Sequence, residues 1–145
     1  MSRADIPGRA RRSIDIPGFA HGDNPIPAAS RVGPLLMTGG IHGIDRTSGR
    51  MPDTVDAQVA NMFANLEAIL EAGGATLGDV VRMTVYLRSS EGRAAVNAAW
   101  CACFPEPAAR PARRTRVTQE LHKSMLVQCD ATAFILGDDA PRAPP

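Results

Sequence analysis

The chain has 145 residues, a length that suits one domain with a single sizeable core. Its 16 Lys and Arg stand against 15 acidic residues, a formal charge of +1, so no global field directs it to nucleic acid or an anionic membrane. Hydrophobic residues make up 44% and charged residues 21%, an ordinary globular balance that excludes collagen-like, coiled-coil and disordered classes, and no apolar run approaches the roughly 18 residues of a membrane helix.

Residues 1–23 read as an N-terminal arm carrying Arg3, Arg9, Arg11 and Arg12. Asp5-Ile-Pro-Gly and its echo Asp15-Ile-Pro-Gly are extended turn elements, too few and too short for a solenoid. The start of the chain has no apolar stretch of the kind a secretory signal needs, which points to a cytoplasmic protein. Val32 to Thr38 is short, apolar and bounded by glycines, which predicts a buried strand ending at Gly39-Gly40.

Val55, Val59, Met62, Phe63, Leu66, Ile69 and Leu70 recur at spacings of three and four and predict an amphipathic helix, with Thr54 as its cap and Gly73 at its end. Val81, Met83, Val85 and Leu87 alternate with Arg82, Thr84 and Tyr86, the period of a strand with one face in the core. A second helix is predicted from about Ser90 to Phe104, burying Val96, Ala99, Trp100 and Cys103 and stopped with the help of Pro105. After a Pro- and Ala-rich loop come Arg113-Arg-Thr-Arg-Val and a last strand. That strand carries Met125, Val127, Cys129, Ala131, Ala133 and Ile135 on one face and Leu126, Gln128, Asp130, Thr132 and Phe134 on the other. Residues 137–145, rich in Pro, read as a disordered tail.

Strands combined with two helices predict an α+β layer with both helices on one face of a mixed sheet. Leu126 and Phe134 on the nominally polar face imply that this face is partly covered, most simply by another copy of the chain. The three cysteines, an odd number, suit a reducing compartment. Cys101 and Cys103, two apart on a helix, diverge and form no metal pincer, and with Cys129 they read as small buried apolar residues, so no metal is expected.

Common phosphate, nucleophile-elbow and zinc motifs are not found in the sequence. What stands out is Arg110-Pro-Ala-Arg-Arg-Thr-Arg116, four guanidiniums in seven residues. On a strand, Arg113 and Thr115 share one face while Arg114 and Arg116 share the other. A guanidinium held by a strand offers a planar fork that matches a carboxylate; the alternative is a solvated run or a phosphate patch. His42, at a strand end, is either an acid or base in a cleft or a hydrogen-bonded residue of the scaffold. Asn97, beside Val96 on the second helix, either bonds a ligand or holds the Arg-bearing segment.

Asn24-Pro-Ile-Pro, Thr38-Gly-Gly-Ile, Ala72-Gly-Gly, Val81-Arg-Met-Thr-Val-Tyr-Leu, Val96-Asn97 and Arg110-Pro-Ala-Arg113, in this order, resemble the RidA (YjgF) reactive-intermediate deaminase family over residues 24 to about 135. The resemblance implies a domain over 24–136 with a chorismate-mutase-like α+β fold, a homotrimer with clefts between subunits, and no cofactor. It also implies hydrolysis of 2-imino or enamine acids to 2-oxo acids and ammonia. On that likeness Arg113 binds the substrate carboxylate, Asn97, Gly39, Ile26 and His42 line the substrate site, and Thr38, Thr115 and Gln128 shape the water site. The chain departs from the family pattern at Ile26 in place of Tyr, Gly40 in place of Gln, Thr115 in place of Cys and Gln128 in place of Glu. A carboxamide orients water but transfers no proton, which is the work a carboxylate does. Asp130, two residues on and on the same face, is either a substitute acid or a solvated charge. Three functions follow: an imine deaminase, a non-catalytic carboxylate-binding or regulatory trimer, and RNA cleavage or translation inhibition. The third is disfavoured by the near-zero charge and the scarcity of aromatic stacking platforms.

Overall fold

A computed structural model describes residues 10–137. Its elements in chain order are β1 (Arg12–Ile14), β2 (Ala29–Val32), β3 (Leu35–Thr38), β4 (Ile41–His42), α1 (Val55–Ala72), β5 (Val80–Leu87), α2 (Arg93–Cys103), β6 (Ala112–Val117) and β7 (Val127–Phe134). They form a single mixed sheet of order β1-β2-β3-β7-β5-β6, with β4 also on β7. Only the β5–β6 pair is parallel, as a crossover through α2 requires. Both helices cover one face, the predicted α+β layer. Among the described residues no helix is long and apolar enough to cross a membrane.

The stripe on α1 is the centre of the core: Val59, Met62, Phe63, Leu66, Ile69 and Leu70 are all buried. Thr54 caps its first turn, its hydroxyl accepting the Ala57 N–H at 3.2 Å, and Gly73 ends it. The last turn of α1 has no basic residue. Arg12 and Arg31, opposite one another on β1 and β2, instead both donate to the Gly73 carbonyl, at 3.3 and 2.6 Å. Two like charges side by side are tolerated there because the negative end of the helix lies between them.

Four expectations are corrected. The run from Val32 to Thr38 is the end of β2, a turn and β3, because Gly33 takes φ +56 and Pro34 follows it, closing a hairpin. Val81 faces outward, 55% exposed, because a bulge between Val80 and Arg82 shifts the register and Val80 takes the buried place. The arm expected over 1–23 joins the core from residue 12 onward: β1 extends the sheet, and Ile14, Ile16 and Phe19 are buried. The first Asp-Ile-Pro-Gly copy and the tail beyond Gly137 lie outside the described residues. Cys101 is also a correction, since it is exposed and Cys103 half-buried, leaving Cys129 as the one buried thiol.

Burial on β7 alternates as predicted, Val127, Cys129, Ala131 and Ala133 facing the helices. The other sheet face carries Val32, Leu35, Met37 and Phe134, each 42–52% exposed. Leu35 and Phe134 are direct cross-strand neighbours there.

Candidate functional site

Register decides which candidate residues meet. Arg113 lies in the row Ala131–Met83–Arg113 and Thr115 in the row Cys129–Val85–Thr115, both on the helix side because their β5 and β7 neighbours are buried under the helices. Gln128, Tyr86 and Arg116 form the next row, on the opposite face. The sheet therefore divides the predicted site into two halves within one chain.

The helix-side half sits on β6, the edge strand. Asn97 of α2 accepts a hydrogen bond from Arg113 Nη2 at 2.6 Å, and the guanidinium lies 4.9 Å from the ring centroid of Trp100. This bond ties α2 to the Arg-bearing strand. Arg113 Nη1 is buried without a partner. Burial and the nearby Arg93 pull the Arg113 pKa down, a mark of a cation set in a poorly solvated place. Five donors held in a fixed fork, with one shielded nitrogen unpaired, form a seat for a planar anion. Thr115 is half-buried two residues along the same face.

The open-face half centres on the β3–β4 junction. Met37 pairs with Thr132 and Ile41 with Cys129, so Thr38, Gly39 and Gly40 span only Asp130 and Ala131, one residue too many. This is a β-bulge, a device that re-aims side chains next to a site. Thr38 holds it: its hydroxyl accepts the Ala131 N–H at 2.9 Å and donates to the Gly39 carbonyl at 2.8 Å. Its donor and one of its two acceptor sites are thus engaged by the backbone. Gly39 donates to Ala28 at 2.8 Å, which ties the bulge to the segment carrying the exposed Ile26.

The Gln128 amide lies over Gly40, in the space a Cβ there would need. Glycine at 40 and the side chain at 128 are thus one packing unit. Gly40, Tyr86, Arg116, Leu121, Gln128 and Asp130 line a cavity of about 580 Å³. Its outer wall, the loop after β6, is pinned by Arg88, which donates to the carbonyls of Leu121, Lys123 and Met125 at 2.7–2.9 Å. Gln58 pins it from α1, donating to Ser124 at 3.0 Å and accepting from Leu126 N–H at 2.8 Å. Tyr86, Arg116 and Trp100 were not singled out as site residues from sequence. Their only signal is the cross-strand register and the approach of α2 to β6.

His42 is corrected from cleft residue to core residue. It is 3% exposed, stacks on Phe19 at 4.4 Å and donates through Nε2 to the Ala20 carbonyl at 3.0 Å. Desolvation lowers its pKa, the Ala20 bond opposes this, and the neighbouring His21 adds to the lowering. The sign of the stability effect follows. The unfolded imidazole takes a proton near pH 6.5 while the folded one resists until lower pH, so stability falls as pH drops through that window and is unaffected above it. Melting curves of wild type and His42→Gln from pH 7.5 to 5 are expected to show a steeper acid loss in the wild type; parallel losses would refute the assignment.

Comparison with known proteins places these residues in context. The family described as Endoribonuclease L-PSP matches residues 24–135, the span over which the sequence resemblance was read. The 2-iminobutanoate/2-iminopropanoate deaminase of Salmonella typhimurium is 33% identical over 103 residues, 70% of this chain and 80% of that protein. A RutC family protein of Pyrococcus abyssi is 32% identical over 111 residues, 76% and 86% of the two chains. Among solved structures, RidA from an Antarctic Psychrobacter superposes with TM-score 0.78 at 27% identity, covering 86% of this chain and 99% of that one. The Escherichia coli YjgF gene product superposes with TM-score 0.77 at 29% identity, covering 85% and 98%. With the sheet order, both helices and the matched span in agreement, the chain belongs to the Endoribonuclease L-PSP family, the family of YjgF and RidA.

Proposed function

We propose that the protein hydrolyses an imine or enamine carboxylic acid to a 2-oxo acid and ammonia. The observation that carries this reading is the Arg113 fork, stacked on Trp100, bonded to Asn97 and left with a shielded, unpaired Nη1. Such a group binds a carboxylate through paired, charge-assisted hydrogen bonds. Relatives of about 33% identity named as imine deaminases support the reaction class.

The chemistry asks little of the protein. An iminium carbon is already electrophilic, so holding its carboxylate, presenting a water and excluding other nucleophiles supplies much of the rate. Gln128, neutral at every pH, orients a water by accepting through Oε1 and donating through Nε2. Because Arg113 and Gln128 lie on opposite faces of one sheet, a working cleft needs the β6 edge of one copy against the open face of another. The exposed apolar residues on that face favour such an assembly, and a closed homotrimer satisfies it around the ring.

The test is release of ammonia and 2-oxo acid from imines made in situ by an amino-acid oxidase with catalase, together with the mass of the particle in solution. Turnover above the solvent rate by a trimer is the expected result. Gln128 in place of a carboxylate favours a second reading, a carboxylate-binding trimer without turnover. That reading predicts that a 2-oxo acid raises the melting temperature while imines decay at the solvent rate.

A further inference from the structure

The open-face cavity holds a carboxylate beside Gln128. Asp130 is half-buried on β7 and lines the cavity together with Gln128. Across the bulge lie Gly39 and Gly40, which bring no side chain of their own, and the Gln128 amide packs over Gly40. On β5, Tyr86 and Arg82 both favour the charged form of Asp130, and Thr84 is its register partner. On β6, Arg114 is next across from Thr84, and Arg116 shares the cavity. Glu120, from the loop wall, is the other acidic residue lining it.

Resting on the hydrolytic reading above, we infer that Asp130 is the proton-transfer group of this cleft, doing the work that Gln128 beside it cannot do. The carboxylate takes a proton from water as the water oxygen bonds to the iminium carbon and the C=N π pair moves to nitrogen, giving a neutral carbinolamine. The resulting carboxylic acid returns the proton to that nitrogen. The C–N bond then breaks with its electron pair leaving on ammonia, the hydroxyl oxygen closes the C=O bond, and the hydroxyl proton leaves with ammonia as ammonium. Iminium and water become 2-oxo acid and ammonium, with Asp130 regenerated.

Burial raises the Asp130 pKa, against Tyr86 and Arg82, which favour the charged form. A carboxyl moved toward neutral pH is a better-matched base and acid. The same burial has a stability signature. Its cost is present at neutral pH and vanishes below the unfolded value near 3.8, so Asp130→Asn is expected to raise the melting temperature at pH 7 and not at pH 3.5.

The experiment measures imine hydrolysis against pH for the wild type, Asp130→Asn, Tyr86→Phe and Arg113→Ala. Asp130→Asn is expected to lower kcat by about 10²-fold or more with little change in KM, and to abolish the acid limb of the profile. Tyr86→Phe removes a hydroxyl that favours the carboxylate, so the limb moves to higher pH without disappearing. Adding Gln128→Glu to Asp130→Asn is expected to recover at least part of the lost rate. Wild-type kcat and pH profile in Asp130→Asn, with Arg113→Ala still inactive, would overturn the role of Asp130 and leave the hydrolytic reading standing. Should Asp130→Asn fail to fold, an unmoved limb in Tyr86→Phe overturns it equally. A wild type that never exceeds the solvent rate removes both.

Discussion

Replacing Arg113 by alanine is expected to lower kcat/KM for an imino acid by about 10²–10⁴. Among the described residues the guanidinium makes one side-chain hydrogen bond, to the neutral Asn97 amide, and Nη1 makes none, so on the proposed reading the main loss is the pair of bonds to the substrate carboxylate. Arg113→Lys keeps the charge but loses the planar fork and the flat contact with Trp100, and should recover only a small part of the loss. The division of the site by the sheet adds a sharper form of the same test. Arg113→Ala and Asp130→Asn, unfolded together and refolded as a mixture, should regain about one quarter of wild-type activity, because about that fraction of clefts pairs two intact halves. If one chain supplied both halves, mixing would give only the average of two weak enzymes.

The largest loss of stability is expected at Gln58. Its side chain is fully buried on α1, donating to Pro52 at 2.7 Å and Ser124 at 3.0 Å and accepting from Leu126 at 2.8 Å. Gln58→Leu fits the volume but leaves two carbonyls and one N–H in part-buried places without their partner, each costing toward the low end of about 1–3 kcal/mol. A loss of about 3–5 kcal/mol, or roughly 10–20 °C in melting temperature for a chain of this size, follows. Because Gln58 also pins the loop that walls the cavity, hydrogen exchange at the Leu126 amide should quicken in the variant even where the rest of the protein is folded. Unchanged exchange there would separate the loop from the helix.

How much of this was readable beforehand depended on the range of the interaction. The α1 stripe, the Thr54 cap and the alternation on β7 depend on neighbours a few residues away, and all three stand in the structure. Arg113 and Asn97 were found because strand and helix periods place each on a face, and their hydrogen bond brings the two faces together. Tyr86 and Arg116 escaped notice because they share a row with Gln128 only after β5 has paired with both β6 and β7. Gly33, read as a strand boundary, is a turn inside the apolar run, and Val81 obeyed the period of two until a bulge broke it. His42 looked like a cleft residue because a strand end says nothing about the N-terminal segment that folds over it, bringing Phe19 onto its ring.

The packing of the Gln128 amide over Gly40 constrains how this sequence can change. A glutamate at 128 has nearly the same shape, so it can arise in a single step with the backbone undisturbed. Any side chain at 40 must first displace the residue at 128. Substitutions at 40 therefore act through Gln128, whose flexible end must swing aside before a larger side chain can be seated there.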